Sequence, residues 1–391
     1  MIRLGVIGYG CRIRDVMEPI RFLRPDIKVT GVVDPDRASV RGLMAQSDRD
    51  DVVFYDSVDE LVRRGKIDGL MIGTRCNLHT PYAVQAARYD VPLFLEKPVA
   101  ISMKQAIALE RAFSRTRCKA VVSFPLRVTK LCERTRAQIA RGAAGEPLHI
   151  SAVNYVPYGF IYFDQAYRWY KVTQGLFLQK ATHDLDYMMY LMDSPVTRVG
   201  AMTIKGRVYG GRKKAGLRCS GCGERATCLE GPVKRRRALG KGADNDHWCL
   251  YSVDCGSPAA GMNEDCSSAV VEFESGAQGT YSQVFFVRRD AGSRGAIVSG
   301  KMGTVSFNWW TSQIKCVRHF QRITRTLEVK ETGGHSGGDL QLARYFIGLI
   351  EGTIRKSRTP IETGLRSVYT CLAAKESSET GKFVKVRQCG L

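Results

Sequence analysis

Three short groups of residues in this chain are placed to do chemistry. The first is Gly8-Tyr9-Gly10, between an apolar run and a helical pattern. A first glycine permits a tight turn, and a second lets the backbone approach a pyrophosphate seated on the N-terminus of the following helix. The third glycine of the full dinucleotide fingerprint is replaced by Ile13, which weakens helix–strand packing without blocking phosphate access. Asp34 stands 24 residues beyond Gly10, at the end of the next apolar run, where a carboxylate accepts hydrogen bonds from a ribose hydroxyl. Its charge would repel a 2′-phosphate and argues for NAD, while nearby Arg37 keeps NADP as the alternative. The second group is Glu96-Lys97-Pro98. A lysine there can hold a substrate hydroxyl and stabilise alkoxide character as hydride leaves carbon, with a pKa lowered by burial. A surface salt bridge between Glu96 and Lys97 is the plainer reading. The third is Gln179-Lys180-Ala181-Thr182-His183-Asp184-Leu185-Asp186. Read as a helix, it sets Gln179, His183 and Asp186 on one face, and Lys180 with His183. A histidine titrating near neutrality accepts a hydroxyl proton, although an isolated histidine is more often structural.

The elements that must position these groups follow from periodicity. Ile2 to Ile7 reads as a buried parallel strand and is followed by a helical pattern to about Phe22; further strands are expected at Val29–Val33, Val52–Tyr55, Asp68–Ile72, Val91–Leu95 and Ala120–Phe124. Between them lie a helix capped by Ser57 with Glu60 three residues on, one starting at Thr80-Pro81, and one capped by Ser102. Alternation of this kind predicts a doubly wound parallel α/β sheet over residues 1–124. Carboxyl ends of strands in such sheets face the ligand crevice, which is where Lys97 falls.

Taken together, Gly8-Tyr9-Gly10, Glu96-Lys97-Pro98 and the His183-Asp184 helix resemble the Gfo/Idh/MocA family of oxidoreductases. Asn77 and His79, Arg127, Ile139 with Gly142 leading to Gly145-Glu146-Pro147, and Gly334-His335-Ser336-Gly337-Gly338-Asp339 extend the likeness over the whole chain. The resemblance implies a Rossmann domain followed by an α+β domain, residues 125–391, with a large, mostly antiparallel, open-faced sheet. It implies NAD(P)-dependent hydride transfer on a sugar, polyol or glycoside, with Lys97 on the reacting hydroxyl and His183 as acid/base. The cofactor-binding set is Gly8, Tyr9, Gly10, Cys11, Arg12, Asp34, Thr74, Asn77, His79, Glu96, Lys97 and Arg127. Many members carry an aspartate where this chain has Gln179; Lys180 is expected to replace it and joins the catalytic set. The open sheet face is implied to form homodimers or homotetramers. Two other activities fit the same residues: redox-neutral, NAD-assisted glycoside elimination, and a non-catalytic nucleotide or sugar sensor.

From Leu148 the pattern becomes strand-like: His149–Val156, Val196–Val208, Ser267–Glu274, Gly279–Val287, Ala296–Ser299, Thr304–Asn308, Ile314–Phe320 and Arg325–Val329, with helices near 339–350 and 364–379 closing the chain. Aromatic residues between Tyr155 and Tyr170, Tyr158 among them, can stack on a sugar ring or simply pack, and Arg168 and Lys171 would suit an acidic sugar. The 391 residues carry 59 Lys/Arg against 38 Asp/Glu, a net charge of +21. Between Arg198 and Leu250 alone, 13 basic residues face 4 acidic ones. That surplus marks a basic insertion at about 205–260, read as solvated and loose; without a helix-turn-helix pattern, nucleic acid is not an expected partner. Within it stand Cys219, Cys222 and Cys228, with Cys249 downstream. Four thiolates make a closed tetrahedral site, so structural zinc is expected, with Cys255 or His247 as alternative fourth ligands and free thiols or an iron–sulfur cluster as alternative states. No stretch has the length and apolarity of a transmembrane helix, and the start lacks secretory-signal features, so a cytoplasmic location is expected.

Overall fold

A computed structural model describes residues 1–239, 246–257, 261–330 and 332–391. The first sheet is built from β1 (Ile2–Ile7), β2 (Ile27–Val33), β3 (Val53–Phe54), β4 (Gly69–Ile72), β5 (Leu93–Leu95) and β6 (Ala120–Val122). Its order is β3-β2-β1-β4-β5-β6 and all pairs are parallel. β1, β4, β5 and β6 are buried along nearly their whole length, as expected of strands covered on both faces. The reversal of order between β1 and β4 makes a switch point, and the carboxyl ends of those strands open a crevice there.

Helix α1 (Cys11–Leu23) follows β1, α2 (Val58–Arg64) is capped by the Ser57 hydroxyl, and α3 (Cys76–Ala87) follows β4. The start expected at Thr80-Pro81 is one turn late, because Pro81 lies inside α3. A proline there leaves the carbonyl four residues earlier without its helical donor. That carbonyl, of Asn77, instead accepts from Gln105 Nε2 at 3.0 Å, so the helix runs through. Helix α4 (Met103–Phe113) is capped by Ser102 as expected.

The second sheet comprises β7 (Pro147–Tyr155), β8 (Val196–Ile204), β9 (Cys266–Phe273), β10 (Gln278–Val284), β11 (Ser293–Gly300), β12 (Gly303–Asn308), β13 (Gln313–Arg318), β14 (Thr324–Glu328) and the short edge strand β15 (Val384–Lys385). The order is β14-β13-β12-β11-β7-β10-β9-β8-β15, antiparallel except where β7 and β10 pair. Helices α5 (Lys130–Ala140), α6 (Thr182–Met192) and α8 (Ile361–Thr380) share one continuous core with it. The other face leaves Met202, Ile204, Val270 and Ile297 exposed.

Two expectations change on packing. Helix α7 (Gly338–Ile350) falls on the second-domain side of a boundary drawn at 124/125. It packs instead into the first domain: Leu342, Ala343, Phe346, Ile347 and Leu349 share a core with Ile13, Val16, Met17 and Ile20 of α1, and Phe346 meets Phe94 edge to face. The insertion is also not a loose solvated arm where it is described; residues 240–245 and 258–260 lie outside the described residues. Tyr209, Leu250 and Cys255 form an apolar cluster with Val156, Tyr162, Phe163 and Phe285. The three successive N–H groups of Arg207, Val208 and Tyr209 donate to the Asp265 carboxylate. Arg235 is buried against Asp164 at 2.5 Å, and Arg288 pairs with Glu230. Part of the basic surplus is therefore consumed in ion pairs.

Candidate active site

The turn after β1 has the shape a dinucleotide needs. Gly8 has φ +78°, and a Cβ there would lie 2.8 Å from the Thr74 backbone. A Cβ on Gly10 would meet nothing closer than 3.9 Å, so that backbone faces open space. The Asp34 carboxylate, at the end of β2, accepts the N–H groups of Tyr9 at 3.0 Å and Asp36 at 2.9 Å. Arg37 is paired with Asp56. Asn77, in the first turn of α3, has a buried side-chain oxygen with no partner. An open glycine turn after β1, a carboxylate at the end of β2 and an orphaned amide oxygen at the start of α3 are donors and acceptors that fit a nicotinamide dinucleotide.

Several residues expected to meet the cofactor are engaged otherwise. Arg12 is held by Glu96 at 3.0 Å, by both oxygens of Asp339 at 2.6 and 3.0 Å, and by Ser123 at 3.2 Å. It ties α1 to the carboxyl end of β5 and to α7, and these carboxylates raise its pKa, while His335 at 2.9 Å and Arg12 together hold Asp339 well below the ordinary carboxylate range. His79 is buried between the carbonyls of Pro98 at 2.8 Å and Thr74 at 3.0 Å. Arg127 pairs with Asp186 at 2.6 Å and lies over the Tyr190 ring at 4.3 Å; burial still pushes Asp186 up to about 6. Cys11 is exposed, and its sulfur accepts from Arg14. Thr74 abuts Gly8. Long side chains such as Arg12 and Arg127 respond to the nearest carboxylate, which their own sequence neighbourhood does not reveal.

Lys97 stands just past the end of β5, and the peptide bond that joins it to Pro98 is cis. Its ammonium donates to the Gln179 carbonyl at 2.7 Å, and burial lowers its pKa to about 8. The segment carrying Gln179 and Lys180 is a π-helical turn, Phe177–Ala181, ahead of α6. That turn alters the even α-helical spacing. The Gln179 amide oxygen accepts from the Cys76 thiol at 3.0 Å. Lys180 donates to the Tyr158 hydroxyl at 3.0 Å.

His183 is buried with its ring edge to face with Phe124 at 5.8 Å, and its Nδ1 has no partner. Burial, then the charges of Lys97, Arg294, Lys180 and His335, hold its pKa well below the ordinary value. The neighbouring Asp184 is fully buried and takes Arg294 at 2.8 and 3.0 Å, Asn154 at 2.8 Å and Tyr281 at 3.0 Å. His183 is therefore a neutral ring in a cationic pocket, and no carboxylate orients it among the described residues.

Beside these residues lies a cavity of about 250 Å³. Asn154, Tyr158, Arg294, Trp309, Trp310 and His335 contribute to its lining. Tyr158 and His335 lie in segments the sequence singles out. Arg294, on β11, and the tryptophan pair, in the turn just past β12, carry no local signal, since periodicity marks these segments only as strands and their ends. Arg168, by contrast, does not reach a ligand: it is wholly buried on Asp254 at 2.6 Å, Ser252 at 2.5 Å and the Cys249 carbonyl at 3.2 Å.

The structural-zinc expectation is not supported. Among the described residues no group of three or more His, Cys, Asp or Glu side chains is arranged to hold a metal ion. Cys219, Cys222, Cys228 and Cys249 do line one small gap of about 20 Å³. Burial raises the Cys219 thiol to about 11 and Cys249 upward. Cys255 donates instead to the carbonyls of Phe163 and Leu250.

Comparison with known proteins agrees with this architecture. Residues 2–124 match the model of the oxidoreductase family with an NAD-binding Rossmann fold, and residues 132–306 match that of the GFO/IDH/MocA C-terminal domain. The putative oxidoreductase YteT of Bacillus subtilis is 24% identical over 75% of each chain. Inositol 2-dehydrogenase of Corynebacterium glutamicum is 22% identical over 51% of this chain and 56% of its own, so the chain spans about half the length of that relative. Among solved structures, levoglucosan dehydrogenase in complex with NADH and L-sorbose superposes with a TM-score of 0.74 at 16% identity, each chain covered completely. An oxidoreductase domain protein from Kribbella flavida superposes at 0.76 with 14% identity, over 99% of each chain.

Proposed function

Because the chain belongs to the Gfo/Idh/MocA oxidoreductase family, we propose that it is an NAD-dependent dehydrogenase acting on a CH–OH group of a sugar or polyol. The observation that carries this reading is Lys97: a half-buried lysine whose pKa desolvation lowers to about 8, at the end of β5 in the sheet whose β1 ends in an open glycine turn. Bound NAD supplies the hydride acceptor. Gly8, Gly10 and the start of α1 would receive its pyrophosphate, Asp34 the adenosine ribose, and Asn77 the nicotinamide half. Asp34, with Arg37 committed to Asp56, favours NAD over NADP.

Lys97 orients the reacting hydroxyl and stabilises negative charge that develops on its oxygen. A positive charge preorganised in a site away from water is worth more there than in solution. His183 offers a neutral ring nitrogen as a hydrogen-bond partner. As a neutral ring it can take the hydroxyl proton, the acid/base part the resemblance implies, and the charges of Lys97, Arg294 and Lys180 drive that proton onward. The open sheet face, with Met202, Ile204, Val270 and Ile297 exposed, would serve self-association.

The test is nicotinamide reduction over a panel of sugars and polyols with NAD and NADP, for wild type, Lys97→Ala and His183→Ala. Turnover lost in Lys97→Ala is the expected result. A wild type inert with both cofactors would overturn the dehydrogenase. Glycoside cleavage without net NADH would then indicate the redox-neutral elimination, and sugar binding without any turnover would indicate a sensor.

A further inference from the structure

The insertion at about 205–260 has no part in the chemistry described so far, yet it holds a segment that reaches the site. Residues 158–170 lie between β7 and the π-helical turn and touch both domains. On the second-domain side the Tyr162 ring stands 5.9 Å from the Lys180 ammonium and edge to face with Phe285 at 5.4 Å. On the first-domain side Arg75, the residue just ahead of α3, donates to the Ala166 carbonyl at 2.6 Å. Its guanidinium also lies 5.7 Å from the Tyr167 ring centre, and that ring meets Tyr162 at 5.6 Å. Tyr167 is partly exposed, and its hydroxyl bonds to nothing among the described residues. Burial raises its phenol, and the charges of Tyr162, Cys76 and Glu96 add to that rise. Glu96 immediately precedes Lys97, and Cys76 bonds the same Gln179 that holds the lysine. The Tyr167 ring therefore stands within reach of the groups at the end of β5.

An irregular segment of this kind has no repeating backbone ladder, so other groups must satisfy and fix it. The insertion supplies them. Arg168 is wholly buried, and its Nη2 alone donates to Asp254 at 2.6 Å, Ser252 at 2.5 Å and the Cys249 carbonyl at 3.2 Å. Asp164 takes Arg235 at 2.5 Å, and the Phe163 carbonyl accepts from the Cys255 thiol at 3.3 Å. Just past the insertion, the side-chain nitrogen of Asn263 donates to the carbonyls of Tyr162 and Tyr167 at 2.9 and 3.0 Å. Two consecutive residues are thus divided: Arg168 is committed to the insertion, and Tyr167 is left to the crevice. A tyrosine there offers an apolar face to the C–H groups of a sugar ring and a hydroxyl to its polar edge. Displacing such a contact by about 1 Å can cost about 10²-fold in rate.

We propose that the insertion is the scaffold of a substrate-facing wall: it fixes residues 158–170 against Arg75, so that Tyr167 meets the sugar or polyol beside Lys97. Tyr167 is the specificity-determining contact, and Arg168 is a positioning residue that acts through it. The proposal rests on the dehydrogenase reading and adds no step to the reaction. The groups assigned to the dinucleotide, Gly8, Gly10, Asp34 and Asn77, all belong to the first domain, whereas Tyr167 is carried by the second, so its partner is the substrate. A contact made equally to substrate and transition state lowers KM and leaves kcat largely unchanged.

The experiment compares the full chain as wild type, Tyr167→Ala, Tyr167→Phe, Arg168→Met and Arg168→Lys, over the panel of sugars and polyols, D-glucose and myo-inositol among them. Tyr167→Ala should raise KM about tenfold or more with kcat within about threefold, and NADH affinity should stay unchanged. Tyr167→Phe keeps the ring and should raise KM less. Arg168→Met should reproduce the KM rise. Arg168→Lys should recover most of it, because one ammonium can meet the three acceptors that Nη2 serves. Without cofactor, amide hydrogen exchange of peptides spanning 158–170 should be about tenfold or more faster in Arg168→Met, with peptides of β1 to β5 unchanged. If Arg168→Met does not fold, Ser252→Ala, which removes one of the three acceptors, carries the exchange readout. An unchanged KM in Tyr167→Ala, an NADH affinity that falls as KM rises, or unchanged exchange over 158–170 overturns the proposal. A wild type that turns over nothing overturns the dehydrogenase reading and the role of Tyr167 with it, while the exchange still decides whether the insertion holds the wall.

Discussion

Replacing Lys97 by methionine should abolish turnover and, at neutral pH, relieve a strain on folding. Lys97 has a folded pKa of about 8 against an ordinary 10.5, so the folded chain binds its proton less tightly than the unfolded chain. A group shifted downward in this way costs stability wherever the unfolded lysine is charged and the folded one must be charged too or lose its proton. A fall from 10.5 to about 8 corresponds to about 3 kcal/mol below pH 8, at roughly 1.4 kcal/mol for each tenfold change in proton affinity. By linkage the cost shrinks as pH climbs from 8 towards 10.5, to about 1.5 kcal/mol at pH 9.5. Methionine carries no such cost, yet it leaves the Gln179 carbonyl without its donor, a loss of about 1–3 kcal/mol that does not depend on pH. The net gain at pH 7 is therefore modest. The robust quantity is the change in the stability difference between variant and wild type, about 2 kcal/mol in favour of wild type on going from pH 7 to 9.5. Denaturant unfolding of both proteins at the two pH values measures it directly. A difference that stays constant with pH would show that Lys97 is hydrated and ordinary, and the argument from its burial would be wrong.

Other perturbations test other parts of the site. Gly8→Ala forces a side chain into positive φ against the Thr74 backbone and should destabilise by about 1–3 kcal/mol in denaturant melts. Gly10→Ala meets open space, so it should leave the melting temperature unchanged yet weaken NADH binding about tenfold or more by fluorescence titration; equal binding would refute the pyrophosphate assignment. Asp339→Asn strips Arg12 of its bidentate partner and should lose about 3 kcal/mol at pH 7. Because Asp339 is held below its ordinary value, the wild-type advantage should persist down to the carboxylate range and fade only as pH falls further. Arg168→Met leaves Asp254 and Ser252 without their buried partner, and limited proteolysis should then cut the insertion faster while the first domain stays resistant.

Much of this protein is legible in its residues taken locally. Alternating apolar runs and helical patterns determine the parallel sheet, because strand and helix periods are properties of neighbouring residues. The Gly8 turn, the Ser57 and Ser102 caps and the strand-end position of Lys97 follow for the same reason. The insertion misleads because its charge density is a local signal of solvation, whereas Asp164 and Asp265 reach it, and Arg288 reaches its Glu230, from segments distant in sequence.

What only the tertiary structure decides is partnership. Arg12 could have faced a phosphate, but α7, arriving more than 300 residues later, sets Asp339 against it. Gln179 stands where a carboxylate is common in the family, and its side chain is tied to the Cys76 thiol while its carbonyl takes Lys97. One π-helical turn sends Lys180 to Tyr158 and leaves His183 unpartnered. Sequence alone therefore determined where the strands end and where the Gly8 turn and the helix caps fall. Which residues can hold a proton was decided by burial and by neighbouring charges, because these depend on distances between elements that no local pattern records.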